Sequence, residues 1–179
     1  MNISVKHLIK KIDFLEEEQE AYEEAFPQYM KKFMEDFPEH KEKILAMMNG
    51  AEKNIEEETC SDLSPEEKKV LKKLYRKISR LCHPDVIESE FLNNIFQKAA
   101  VAYEKESIDE IVRLCVLLKI DFGSLKIERV KEKLQDSVAT YEEKIKSYEN
   151  SLPCIWAKAE TDEEKQQAEI MIMFGLGLS

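Results

Sequence analysis

Only four glycines and five prolines occur among the 179 residues, whereas 36% of the residues are charged. Because so few residues suit turns, long helices are the expected secondary structure and an all-α fold is predicted. A formal net charge of −10 argues against general binding of nucleic acid or of a membrane surface. Four scattered cysteines without a C-x-x-C pair, and three histidines, indicate neither a disulfide framework nor a zinc site, so no metal and no cofactor are expected.

The chain carries no recognisable targeting or membrane-spanning segment. No apolar run approaches the roughly 20 residues that a transmembrane helix needs. The first residues lack the charged and apolar regions of a signal peptide. A cytoplasmic protein is therefore predicted.

Residues 1–58 are predicted to form an N-terminal helical region. Apolar residues recur at alternating three and four spacing for three heptads, which is typical of a helix with coiled-coil character. These positions are Val5, Leu8, Ile12, Leu15, Tyr22 and Phe26, with Gln19 in the same register. Pro27 and Pro38 are each expected to break or kink this rod, which gives two or three helices. We interpret the positions Tyr29, Met30, Phe33, Met34, Phe37, Met47 and Met48 as ordinary core, with a soft groove for hydrophobic clients as the alternative.

Residues 59–121 are predicted to form a central helical domain that opens with a strongly marked helix. Ser64 is suited to cap this helix, Pro65 fits its first position, and Glu67 completes a capping box three residues after Ser64. The helix is expected to stop before His83, because Pro84 disfavours helical geometry in the preceding residue.

The predicted helix after Ser64 has two distinct faces. Its apolar face spans an arc of about 140° and comprises Val70, Leu71, Leu74, Tyr75, Ile78, Leu81 and Cys82. A basic stripe within about 100° on the far side comprises Lys69, Lys72, Lys73, Arg76 and Arg80. This local positive charge in an acidic chain favours an acidic surface on a protein partner.

Two further helices are predicted in the same domain. Ser89 is a suitable cap for a helix whose apolar face comprises Phe91, Leu92, Ile95, Phe96, Ala99, Ala102 and Tyr103. This face is expected to pack antiparallel against the preceding helix, which places His83-Pro84-Asp85 at the tip of a hairpin. Ser107 and Glu110 form the capping box of a short helix that is apolar nearly all round, so it should be buried.

Residues 122–179 are predicted to form a C-terminal helical region. Its long helix carries a heptad pattern, which consists of Ile127, Val130, Leu134, Val138, Tyr141, Ile145, Tyr148 and Leu152. Pro153 should end this helix, Trp156 should pack over it, and Thr161 with Glu164 should cap a last helix. The two heptad helices are expected to pair, either within one chain or between subunits of a homodimer.

The central helix, the triplet after it and the following helix together resemble the J domain of DnaJ-like co-chaperones. The resemblance covers roughly residues 63–118. It rests on Leu74-Tyr75-Arg76-Lys77, on His83-Pro84-Asp85, and on Phe96, Ala99, Ala102 and Tyr103. Two features depart from the family pattern: Val86 stands where a basic residue is common, and the usual short first helix is missing. Either N-terminal helices take over its packing, or the domain is trimmed.

The resemblance implies docking on an ATP-bound 70-kDa heat-shock chaperone of the DnaK type, with stimulation of its ATP hydrolysis. His83, Pro84 and Asp85, here called the tip triplet, would be the trigger. Six side chains, here called the basic face, would be the docking surface: Lys69, Lys72, Lys73, Arg76, Lys77 and Arg80. Helical extensions would bind a client or another partner.

Three other functions are weaker alternatives. The first is a helical scaffold with a J-like fold that no longer stimulates a chaperone. The second is nucleic-acid binding through the basic stripe, which predicts strong salt dependence. The third is a nucleophilic enzyme built on Cys82, His83 and Asp85, but adjacent residues cannot place a thiol, a base and an orienting group in line. No enzymatic activity is expected.

Overall fold

The protein is all-α, as predicted. The computed structural model describes residues 4–40, 42, 63–85, 89–123 and 125–175, and these residues form seven α-helices and no strand. The helices are α1 (Val5–Asp36), α2 (Pro65–Cys82), α3 (Glu90–Glu104), α4 (Ile108–Leu117), α5 (Ile127–Glu149), α6 (Leu152–Lys158) and α7 (Asp162–Gly175). A short 3-10 helix, Pro38–His40, follows α1. No helix within the described ranges contains a stretch apolar and long enough to cross a bilayer.

The chain divides into two compact units, and each is discontinuous in sequence. The first unit contains residues 1–13 and 58–139, and the second contains residues 14–57 and 140–179. The predicted central domain, 59–121, lies wholly in the first unit. The regions predicted on either side of it, 1–58 and 122–179, are each shared between the two units.

The first unit is built on a core from five helices. Its buried residues in α2, α3 and α4 are Leu71, Leu74, Ile78, Cys82, Ile95, Ala99, Ala102, Ile108, Ile111, Val112, Leu114 and Cys115. The start of α1 adds Val5, Leu8, Ile9 and Ile12, and α5 adds Val130, Leu134 and Val138. The first turns of α1 therefore supply apolar packing to the unit that contains α2 and α3.

Helices α2 and α3 pack antiparallel in the first unit. Three contacts along them are Lys68 Nζ with Glu106 Oε1 at 2.8 Å, the Tyr75 and Tyr103 ring centroids at 4.6 Å, and the His83 and Phe96 ring centroids at 5.3 Å. As the residue number increases along α2, the number of its contact partner on the α3 side decreases. The chain therefore reverses direction between Cys82 and Glu90, and the antiparallel packing of the two helices is as predicted.

The caps predicted for α2 are confirmed. The Glu67 amide donates to Ser64 Oγ at 3.2 Å, and the Ser64 amide donates to Glu67 Oε2 at 2.8 Å, so both halves of the capping box are present. At the other end, His83 is extended, with φ −63° and ψ 128°. Helix α2 therefore ends at Cys82, as expected from Pro84.

Helix α4 begins with a side-chain cap and is linked to α1 by an arginine. Ser107 Oγ accepts a hydrogen bond from the Glu110 amide at 3.3 Å, as predicted. Arg113, whose side chain is only 12% exposed, contacts Glu110 Oε1 at 2.6 Å and Asp13 Oδ1 on α1 at 2.9 Å. This ion pair ties the start of α1 to α4.

The second unit has its own core around Phe33 and Ile172, which are both completely buried. The partly buried residues packed on this pair are Met30, Met34, Phe37, Leu152 and Trp156. Trp156 meets the Phe37 ring edge-on and donates from Nε1 to Asp36 Oδ2 at 2.7 Å. The core interpretation is thus confirmed for Met30, Phe33, Met34 and Phe37, while Met47 and Met48 lie outside the described residues.

In the second unit, α1 and α5 contact each other within one chain. The Tyr22 and Tyr148 rings stack with centroids 5.9 Å apart, and Phe26 meets Tyr148 edge-on. Lys158 Nζ lies 2.6 Å from the Tyr22 hydroxyl, which donates to Glu149 Oε1 at 3.1 Å. Pairing of these helices between subunits stays a prediction.

Three local expectations were wrong. Helix α1 continues through Pro27, whereas separate helices on the two sides of Pro27 were predicted. Pro27 is exposed, so water can hydrate the carbonyl left without a backbone donor. Leu81 and Phe91, both assigned to apolar core faces, are 49% and 62% exposed. The helix break predicted at Pro153 lies earlier, because α5 ends at Glu149 and Pro153 falls in the first turn of α6.

Candidate functional site

The basic face lies on the solvent side of α2. All six of its side chains, Lys69, Lys72, Lys73, Arg76, Lys77 and Arg80, belong to exposed residues. None of the six forms an ion pair within 4.0 Å with any residue that the structure describes. By contrast, the preceding lysine, Lys68, pairs with Glu106 at 2.8 Å. Within the described part of the chain, these six cations are thus not engaged by a carboxylate.

The tip triplet directly continues the element that carries the basic face. His83 is the residue after the last turn of α2, and Pro84 and Asp85 form the turn. The side chain of Asp85 is 85% exposed and that of His83 is 43% exposed. The Asp85 carboxylate therefore faces solvent and the His83 imidazole partly does so, directly after the helix that carries the basic face.

Contacts on two sides hold the His83 ring in place. The His83 ring packs against the Phe96 ring of α3 in a T-shaped arrangement, with an angle of 67° between the ring planes. The Asp85 backbone amide donates to His83 Nδ1 at 3.2 Å, and Asp85 Oδ2 lies 3.6 Å from the same nitrogen. The imidazole is thus positioned by α3 and by the turn itself.

The cysteine beside the triplet is unsuited to nucleophilic chemistry. Cys82 is completely buried, and burial raises the pKa of its thiol, which disfavours the reactive thiolate. The same holds for Cys115 on α4, where burial raises the pKa to about 11, partly opposed by the positive charge of Lys77. Among the described residues, no group of three His, Cys, Asp or Glu side chains could hold a metal ion.

Sequence reasoning missed two features of this surface. Phe96 was assigned to the core, but it is only half-buried and forms the platform under His83. Lys68 lies next to the basic face, yet it is engaged by Glu106 across the hairpin. Spacing along one helix cannot reveal either contact, because both depend on the register between α2 and α3. Val86, the departure from the family pattern, lies outside the described residues.

Comparisons with protein-family models, curated proteins and solved structures gave no match for this chain. The resemblance to J domains therefore rests on the residues of α2, α3 and the tip triplet alone.

Proposed function

We propose that this chain is a J-domain co-chaperone that docks on an ATP-bound 70-kDa heat-shock chaperone and stimulates its ATP hydrolysis. One observation carries the proposal. Six exposed cations lie on α2, and the triplet His83-Pro84-Asp85, whose carboxylate is 85% exposed, follows directly after that helix. That combination suits a partner surface that offers both carboxylates and a positively charged group.

The basic face would contribute mainly to the rate of encounter. Clustered charge steers a partner of opposite sign into contact, and this effect weakens as salt screens the charges. Because the rest of the chain is strongly acidic, the positive potential is confined to one side of α2. The docking orientation would then follow from where the cations lie.

Asp85 would carry the coupling between docking and hydrolysis. A carboxylate at an exposed turn can accept two parallel hydrogen bonds from a partner guanidinium. No core side chain depends on it, because Asp85 lies outside the helices and its side chain is almost fully exposed. Removing its charge should therefore abolish coupling without unfolding the first unit.

The second unit would supply the part of the protein that recognises a client or another partner. Its last helix, α7, exposes Ile170, Met171 and Phe174, which are 65%, 54% and 82% exposed. Methionine and aromatic side chains adapt to varied apolar surfaces. These residues support a client-binding role for the helical extension.

The proposal is tested by single-turnover ATP hydrolysis in a purified 70-kDa chaperone. Addition of the wild-type protein should accelerate hydrolysis, whereas Asp85→Asn should leave the chaperone near its basal rate. Asp162→Asn is the matched control, because it makes the same chemical change at an exposed position in the second unit. Circular dichroism of all three proteins verifies equal helicity.

A helical scaffold that keeps the J-like fold but does not stimulate a chaperone is the alternative. It is favoured by two departures from the family pattern: Val86 directly after Asp85, where J domains commonly carry a basic residue, and the missing short first helix. The same assay separates the two functions. Wild-type protein that leaves the hydrolysis rate at the basal value, equal to Asp85→Asn, would favour the scaffold.

A further inference from the structure

We infer that the two ring nitrogens of His83 have separate roles. Nδ1 braces the turn by accepting the Asp85 amide, and Nε2 carries the proton and donates it as a hydrogen bond to an oxygen of the partner. The second half of this inference rests on the proposed function, because the partner oxygen belongs to the docked chaperone. The first half concerns this chain alone.

The bracing role follows from the geometry of the turn. The Asp85 amide donates to His83 Nδ1 at 3.2 Å. Pro84, between them, has no backbone N–H, so the Asp85 amide is the first backbone donor that follows His83. Side chains that accept a hydrogen bond from the amide two residues later stabilise tight turns. The imidazole therefore orients the residue that carries the exposed carboxylate.

The position of the proton follows from the same hydrogen bond. In a neutral imidazole one nitrogen is a donor and the other is an acceptor. Since Nδ1 accepts the Asp85 amide, the proton must lie on Nε2. No described residue hydrogen-bonds Nε2, and the His83 side chain is 43% exposed. The tip thus presents an N–H donor from His83 beside the acceptor oxygens of Asp85.

Two side chains lie close to the ring. The element packed against His83 is α3, and its contact there is the uncharged ring of Phe96. Among the described residues, Asp85 supplies the carboxylate within ion-pairing distance of the imidazole, with Oδ2 3.6 Å from Nδ1. A partner fitted to this tip would offer a carbonyl or carboxylate oxygen to Nε2 and a guanidinium to Asp85.

Two substitutions separate the two nitrogens. In His83→Asn, the side-chain oxygen can replace Nδ1 as acceptor, but no group replaces Nε2. In His83→Gln, the longer side chain can place its amide nitrogen near the position of Nε2, while the brace at Nδ1 is lost. We expect His83→Asn to keep the Asp85 amide protected from exchange with solvent and yet to weaken chaperone stimulation about tenfold, since the partner oxygen loses its donor. His83→Gln should speed the exchange of the Asp85 amide with solvent and also lower stimulation, because Asp85 is no longer held by Nδ1.

The decisive measurement is a long-range proton–nitrogen NMR spectrum of the His83 ring at pH 8, where an ordinary imidazole is neutral. It reports which nitrogen carries the proton and needs no chaperone. A proton on Nε2 supports the inference, and a proton on Nδ1 overturns it, whatever the outcome of the hydrolysis assay. If the wild-type protein stimulates hydrolysis, His83→Asn with undiminished stimulation would also overturn the donor role. Loss of stimulation in every variant and in the wild type would count against the proposed function instead.

Discussion

The rings of Tyr75 and Tyr103 lie stacked across the hairpin, with centroids 4.6 Å apart and planes at 7°. Both residues are half-buried, and each comes from a different helix. The stack therefore fixes the register between α2, which carries the basic face, and α3, which supports His83. A change in this register would move Phe96 away from the imidazole.

Replacing one ring of the stack should destabilise the first unit. For Tyr103→Ala we expect the free energy of unfolding to fall by about 2 to 3 kcal/mol, because aromatic burial and the stacking interaction are both lost. Tyr103→Phe keeps the ring and should cost less than about 1 kcal/mol. Urea denaturation followed by circular dichroism measures both values. Equal losses for the two variants would show that the hydroxyl, and not the stack, is what matters.

The ion pair between α4 and α1 should contribute to stability through Arg113. Arg113→Ala is expected to lower the free energy of unfolding by about 2 kcal/mol, since it leaves Glu110 without this partner and removes a mostly buried aliphatic stem. Asp13→Ala should cost less than about 1 kcal/mol, because the Asp13 side chain is 52% exposed and exposed pairs contribute little. Thermal and urea unfolding of the two variants would measure the difference. A larger loss from Asp13→Ala would contradict this account of how α1 is attached.

Cys115 should make stability depend on pH above 9. Burial raises the pKa of its thiol from 9.0 to about 11, so the folded state resists a deprotonation that the unfolded chain undergoes more readily. The folded state is therefore fully favoured by this group below pH 9 and loses that advantage as the pH rises toward 11. The stability difference between wild type and Cys115→Ala should shrink by about 2 kcal/mol between pH 8 and pH 10.5. Urea titrations at both pH values measure it, and a constant difference would argue against a buried neutral thiol.

Local sequence signals were sufficient for the ends of several helices. Ser64 and Glu67 fixed the start of α2, and Ser89 and Ser107 marked the starts of α3 and α4. These caps form among residues three positions apart, so the sequence alone contains the whole interaction. The apolar spacing along α2 likewise identified most of its buried face.

Features that depend on tertiary contacts could not be predicted in the same way. Helical spacing assigns Leu81 to the core, but no element among the described residues covers it, and its exposure is 49%. A proline predicts an interruption, yet α1 continues through Pro27. The hydrogen bond to His83 Nδ1 and the Phe96 platform follow from the geometry of the turn and the register of α3. The sequence thus proposes which residues form the candidate site, but it does not show how tertiary contacts hold them.

Charge reversal on the basic face should weaken docking in a salt-dependent manner. Arg76→Glu replaces an exposed cation at the centre of the face with an anion. We expect at least a tenfold rise in the concentration needed for half-maximal stimulation of the chaperone at low salt, with a smaller effect at high salt. Lys165→Glu on α7 makes the same charge change in the second unit and should leave docking unchanged. Equal effects of both variants would indicate that net charge, rather than the basic face, controls the encounter.

The central claim is that the tip triplet couples this chain to the nucleotide cycle of a 70-kDa chaperone. Its most direct test is the single-turnover rate of ATP hydrolysis by that chaperone with saturating wild-type protein and with Asp85→Asn. The account predicts a clear acceleration by the wild type and a basal rate with the variant at equal helicity. A wild-type rate equal to the basal rate, or equal acceleration by both proteins, would contradict it.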